Sequence, residues 1–335
     1  MRGGRHGQLG TPACDIPLST TAAPDGTAVG GRCVSRAVWS DVRVTDGPRD
    51  TRVAVGRAAV ASEIRAAGPL ARDLRAPLTA SAPWLTTVLA VQAAHRRPRP
   101  LPAVVVVASG PDRTDAIAAL ALATAGPVLT ATLLGDGLPV PGGRPAARLP
   151  ARDDDAAARL AAGLLGLLGA SRRPWRLRLA GLPLGDPTVR ALARLRPDAV
   201  VASRRSRRLV DDLDTVPGRL VRSRDPGAVD AALPALLAGE RPRTRDLVRA
   251  AARLHAAAGR VEVATVTDGG EQRAALLTLL DGGDRWAWCG RGDGLREEAG
   301  APLVGVTLGG RGRVARAVLD RAAGLLPVSP RRGSG

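Results

Sequence analysis

The chain has 335 residues, 45% of them apolar, which is enough for a substantial core and long enough for two domains of ordinary size. Its formal charge is +18, yet the 49 basic residues are all arginine and are scattered, so charge alone does not give the clustered stripe that nucleic-acid recognition requires. Phe and Tyr are absent, which removes the rings that usually stack on bases, and no apolar run is long enough to span a bilayer.

With five Trp and no other large aromatic residue, the core must be built from Leu, Val and Ala. Lys and Asn are missing as well, and their codons are AT-rich, so a GC-rich genome accounts for much of the arginine content. Cys14, Cys33 and Cys289 have no metal-type spacing. They read as incidental thiols of a reduced, cytoplasmic protein, and no metal is expected.

Residues 1–35 are rich in Gly, Thr, Pro and Ala and read as a disordered tail without the apolar centre of a signal peptide. A first strand is possible at Ala37–Val44, and Thr51–Ala59 reads as a strand or a helix start. Ala58–Arg75 is helix-forming but broken at Gly68-Pro69. Ser81-Ala82-Pro83-Trp84 looks like a helix start, with Ser as the cap and Pro in the first turn, and the helix runs to His95. Three strands follow at Ala103–Ala108, Ala116–Ala123 and Val128–Leu134, separated by Gly/Pro turns. Asp153–Leu168 reads as a helix and Trp175–Leu179 as an alternating strand. Asp186-Pro187 and Asp225-Pro226 open two further helices, the Asp as cap and the Pro at the first position. Between them lies a basic cluster, Arg204, Arg205, Arg207 and Arg208. A helix at Thr244–Ala258 leads into a second set of three strands: Val261–Thr267, Ala274–Leu280 and one beginning at Trp286. A last strand leads to a Gly-rich turn and a helix at Arg313–Leu325, and residues 327–335 read as a disordered tail.

The order helix, three strands, helix therefore occurs twice. The offset that carries Ala118-Ala119-Leu120 onto Ala274-Ala275-Leu276 also carries Gly126 onto Gly282, which points to an internal repeat. The expected fold is α/β (α+β), with two halves at 36–180 and 181–326, each a mainly antiparallel central sheet flanked by helices.

Four stretches resemble the GNAT acyltransferase superfamily, in its tandem-domain branch related to the CelD-type and FemAB-like proteins. They are Ser81–Leu85, Thr132–Gly137 (TLLGDG), Trp175–Asp186 (WRLRLAGLPLGD), and the Arg204–Arg208 cluster followed by Asp225-Pro226 and Val229–Leu233. The resemblance implies two GNAT-like halves and reads the arginine cluster as a basic helix. It implies transfer of an acyl group from acetyl-CoA or another acyl-CoA, or from an aminoacyl-tRNA as in the FemAB-like relatives, to the amine of a small molecule, peptide or polysaccharide, in cell-envelope or polysaccharide metabolism. Such a site needs a splayed strand for the pantetheine arm and a helix N-terminus for the pyrophosphate.

The candidate is Leu303–Arg316, read as strand, Gly-rich turn and helix. Gly309, Gly310 and Gly312 let the backbone approach phosphate, and Arg311 and Arg313 add positive charge. Thr307 stands where the superfamily has Gln or Arg, and no Tyr exists to protonate a leaving thiolate. Glu262 and Glu271 are the candidate bases, with solvated strand-edge carboxylates as the alternative. Cys289, His95 and His255 read better as packing or capping groups than as catalysts. Two rival functions stay open. One is a degenerate, non-catalytic GNAT-like binding protein. The other is an arginine-rich nucleic-acid binder, which the scattered charge disfavours.

Overall fold

The computed structural model describes residues 50–95, 99–110 and 113–311. The expected tails, the strand at Ala37–Val44, the helix at Arg313–Leu325 and the positions Gly312 and Arg313 lie outside the described residues, as do Cys14 and Cys33. Among the described residues no helix is long and apolar enough to cross a membrane.

The chain forms a mixed α/β structure with two mainly antiparallel sheets flanked by helices. Strand β1 (Thr51–Val55) leads into α1 (Arg57–Ala66), α2 (Gly68–Asp73), a short 3-10 turn at Leu78–Ala80, and α3 (Ala82–His95). Strands β2 (Leu101–Ala108), β3 (Thr114–Ala125) and β4 (Val128–Leu133) follow as a meander. Then come α4 (Asp154–Gly169), β5 (Trp175–Pro183), α5 (Pro187–Leu195) and β6 (Val200–Asp211). A second series contains β7 (Arg219–Ser223), α6 (Pro226–Leu236), α7 (Pro242–Ala257), β8 (Val261–Asp268), β9 (Glu271–Asp281), β10 (Asp284–Gly292) and β11 (Leu295–Gly310).

The larger sheet has the order β1-β2-β3-β4-β5-β11-β6, and the smaller one β10-β9-β8-β7. The final strand β11 thus returns to the larger sheet and lies antiparallel between β5 and β6. Both β6 and β11 lie C-terminal to residue 181, in the stretch expected to form the second half. Strands β1 to β4 and β7 to β10 follow the same neighbour order, each with its helices between the first and second strand.

Local chemistry explains three of the helix starts. Asp153 accepts a bond from Ala156 N–H, Asp186 from Thr188 and Val189, and Asp225 from Ala228. Each satisfies orphan donors of a first turn. Ser81 does not act as a cap: its hydroxyl is buried without a hydrogen-bond partner, while its carbonyl accepts Leu85 N–H. The arginine cluster is a correction of another kind. Residues 204–208 form part of strand β6, not a basic helix, because β11 supplies a ladder partner along nearly its full length. Two of its arginines also find acids across the strands, Arg207 with Glu297 and Arg208 with Glu298.

Two cores hold the layers. Helix α4 places Leu160, Leu164 and Leu167 against one face of the larger sheet, where they meet Val105 and Leu177. Each such leucine stabilises the fold by about 1.5–3 kcal/mol. The other core joins the opposite face of the larger sheet to α1, α3, α6, α7 and the helix-facing side of the smaller sheet. At its centre α3 and α7 pack antiparallel. Trp84 meets His255 at one end, and His95 Nε2 lies 2.5 Å from Asp246 at the other.

Candidate functional site

The parallel pair β4 and β5 positions the site. Its register runs through four pairs, from Leu129 with Trp175 to Thr132 with Arg178, and then ends. Beyond that point β4 turns away at Leu134-Gly135, where Gly135 has φ 93° and Asp136 N–H closes the turn onto Leu133 carbonyl. β5 runs on to Pro183 through a bulge in which Ala180 and Gly181 (φ 74°) oppose Gly305 of β11, and it does not pair with β4 again.

The chain between β4 and α4 folds back across this opening. Ala147 N–H donates to Gly181 carbonyl on β5, and Ile117 N–H on β3 donates to Pro150 carbonyl. Thr79 Oγ1 donates to Ala146 carbonyl. Further along, Ala301 N–H donates to Gly143 carbonyl. Gly142 is required for this close approach, since a Cβ there would lie 1.7 Å from Arg207 carbonyl oxygen.

Under the returning segment lies a cavity of about 610 Å³. Ile117 and Ala119 from β3 and Leu134 after β4 form part of its floor, and Ile64, Ala67 and Trp84 from the helices roof it. Its remaining wall carries Arg144, Arg148, Arg178, Arg204, Arg205 and Arg207, with Asp136 as the acid among the described lining residues.

Most of these cations are already engaged. Arg178 pairs with Asp136 at 3.2 Å, and Arg207 pairs with Glu297 at 3.0 Å. Arg144 pairs with Asp281 and lies over the Trp286 ring, 4.3 Å from its centroid. Arg148 donates to Leu74 carbonyl. The side chains of Arg204 and Arg205 have no hydrogen-bond or ion-pair partner among the described residues. Successive side chains of a strand face opposite sides, so of these two it is Arg204, paired with the cavity-lining Leu303, that lies on the cavity face of β6. An uncompensated guanidinium beside an apolar floor suits a ligand that is anionic at one end and apolar at the other.

The residues expected from sequence lie elsewhere. Glu262 sits on the face of the smaller sheet away from α6 and α7, beside Ala264 and Val266 on β8. It is 5% exposed and bound by Arg285 through bonds of 2.9 and 2.5 Å, with Arg222 and Arg224 within 4 Å. The solvated-carboxylate alternative does not hold for it, because three arginines neutralise it in place. Glu271 is exposed and faces Asp268 across the turn between β8 and β9. Neither glutamate lines the cavity.

Gly309 and Gly310 lie in strand β11, paired with Arg176 and Trp175, and not in a turn. A Cβ on Gly310 would meet the Trp175 indole at 2.4 Å, and Gly309 carbonyl accepts a bond from Arg196 at 2.7 Å. Arg196 also lies over the Trp175 ring, 5.6 Å from its centroid. Arg311 follows the strand and is exposed. Cys289 is raised to about 12, first by burial and then by the charge of Glu240, so its thiolate is scarce. Among the described residues no cluster of His, Cys, Asp and Glu could hold a metal ion.

Sequence reasoning missed Arg144, Arg148 and Arg178 as lining residues. The signal that could have found the site was TLLGDG, whose Leu134, Gly135 and Asp136 mark the point where the strands part.

No family model matches the chain, and no curated protein sequence matches it. Among solved structures it is similar to a tandem GNAT protein from the clavulanic acid biosynthesis pathway, at 14% identity and a TM-score of 0.36, over 77% of this chain and 98% of that one. It is also similar to a Drosophila protein from a structural-genomics programme, at 13% identity and a TM-score of 0.28, over 73% and 96% of the respective chains. Neither likeness assigns a role to a residue.

Proposed function

We propose that this protein is a GNAT-like N-acyltransferase that binds an acyl thioester in the cavity beside β4 and β5 and transfers the acyl group to an amine. One observation carries this reading: a parallel strand pair parts after four residues onto an amphipathic cavity whose uncompensated charge is Arg204. The strand-end motif that resembles the superfamily falls at the same point. An acyl-CoA fits the residues present: Arg204 of β6 would hold phosphate, and the apolar floor would take the acyl end. The thioester supplies an activated acyl group. Asp136 is the carboxylate in the wall that could accept a proton from the attacking amine.

This places the ligand in the first sheet, whereas the sequence pointed to Gly309–Arg313. The turn around Gly309 and Gly310 is replaced by strand, and Gly310 is already covered by Trp175.

A second reading, a non-catalytic binding protein, is favoured by the ion pair that already engages Asp136 and by the hydrogen bond from Ala147 that already occupies Gly181 on the parting strand. Calorimetric titration with acetyl-CoA separates the two. Wild type should bind, and the double variant Arg204→Ala, Arg205→Ala should bind at least about tenfold more weakly, about 1.4 kcal/mol. A wild-type protein that binds no CoA species overturns the proposal. Binding without thiol release across a panel of amines selects the second reading.

A further inference from the structure

The cavity has a direction. It runs across the larger sheet from β3 to β6, which are four strand spacings apart, or roughly 19 Å. At the β6 end the lining includes Arg204, on the same side of the strand as Ser206. At the β3 end the floor is Ile117 and Ala119, and the roof is the face of the α1–α2 run that carries Ile64, Ala67 and Ala71. Those three recur at helical spacing and so lie one above the other. Ala80 and Ala82 continue the lining toward Trp84 and Leu85.

Small side chains dominate this end. Five alanines, Ala67, Ala71, Ala80, Ala82 and Ala119, stand where larger apolar residues would have filled the space. A dry apolar cavity of about 150 Å³ already accommodates benzene, and this one is about 610 Å³. A two-carbon acyl group anchored toward the arginines would leave the β3 end without a partner. An apolar wall facing unfilled space or trapped water forfeits the contacts that a hydrocarbon would make.

We infer that the site takes an acyl chain longer than acetyl, with its anionic carrier toward Arg204 and its hydrocarbon end under α1, α2 and α3. The inference rests on the acyl-thioester reading for the carrier. For the chain it rests on the shape and lining of the cavity. Ala71 determines the accepted length, because it is a half-buried alanine on the roof and can be enlarged without opening the core.

The test is a calorimetric series on the full chain with CoA, acetyl-, butyryl-, hexanoyl- and octanoyl-CoA, and with octanoate alone. Each added methylene should tighten binding by up to about fourfold, which corresponds to ~0.8 kcal/mol. In Ala71→Phe, and independently in Ala119→Leu, the ratio of octanoyl- to acetyl-CoA affinity should fall at least about tenfold. A wild-type series that binds CoA with no dependence on chain length overturns this inference and leaves the acyl-thioester reading intact. Silence of every CoA species overturns that reading. If octanoate then binds and weakens in Ala71→Phe, the chain assignment survives and the carrier is wrong; if octanoate is silent too, both are overturned.

Discussion

The imidazole of His255, near the end of α7, stacks on the indole of Trp84 at the start of α3, with ring centroids 5.9 Å apart and planes inclined by 29°. His255 is 2% exposed and its Nε2 has no hydrogen-bond partner. Burial, aided by the charge of Arg260 and opposed by Asp281, pushes it from 6.5 down to about 4. The folded protein therefore holds the ring neutral, while the unfolded chain protonates it near its ordinary value.

Stability from this group is complete above pH 6.5 and is lost as pH falls toward 4. The loss should be on the order of 3 kcal/mol. Urea unfolding of wild type and His255→Leu between pH 7 and 4 measures it. The difference between the two should shrink as pH falls, and a constant difference would show that His255 is not held neutral.

Glu262 should behave as a structural residue. Glu262→Gln deprives Arg285, Arg222 and Arg224 of their common anion inside the smaller sheet. We expect a stability loss of about 2 kcal/mol, below the range for fully buried pairs because the arginines are partly exposed. Acyl-CoA affinity should stay within about twofold, since Glu262 is not in the cavity wall. Loss of turnover at unchanged stability would instead restore it as a base.

Gly310→Ala separates packing from phosphate binding. The new methyl would meet the Trp175 ring, so the fold should lose about 1–3 kcal/mol. Tryptophan fluorescence should shift as the ring is displaced. An unchanged melting temperature together with weaker ligand binding would point back to a phosphate cradle at Gly309–Arg313.

Cys289 should resist alkylation. With its thiol near 12, iodoacetamide at pH 8 should label the native protein at this position at least about a hundredfold more slowly than the urea-unfolded chain. Peptide mapping by mass spectrometry distinguishes it from Cys14 and Cys33.

Much of the fold was legible because local chemistry and global packing agree. Asp153, Asp186 and Asp225 mark helix starts by short-range bonds that need no tertiary partner. The alternation and apolar runs of β2, β3, β8 and β9 place strands correctly. The offset between Ala118–Leu120 and Ala274–Leu276 pairs residues on corresponding faces, with Ala118 and Leu120 away from α3, and Ala274 and Leu276 away from α7. The arginine cluster misled because arginine suits an exposed helix as well as an edge strand. Only the ladder to β11 decides between them.

The cavity was legible only in part. TLLGDG showed where a strand ends, but not that a parallel neighbour 46 positions further on would part from it there, as Thr132 and Arg178 do. Arg144 and Arg148 carry no pattern of their own. They matter because the returning segment is pinned by Ala147 to Gly181 and by Gly143 to Ala301.

By itself the sequence determined most element types, the three Asp-capped helix starts, the Leu/Val/Ala core and the absence of a membrane-length apolar run. These follow from short-range hydrogen bonding and from the period of apolar residues. Tertiary structure alone decided that β11 inserts between β5 and β6, that Glu262 is neutralised by three arginines, and that the Arg204 side chain remains without a partner beside an apolar cavity. Those outcomes depend on which distant segments share a surface, because pairing consumes some charges and leaves others, and no local pattern records which.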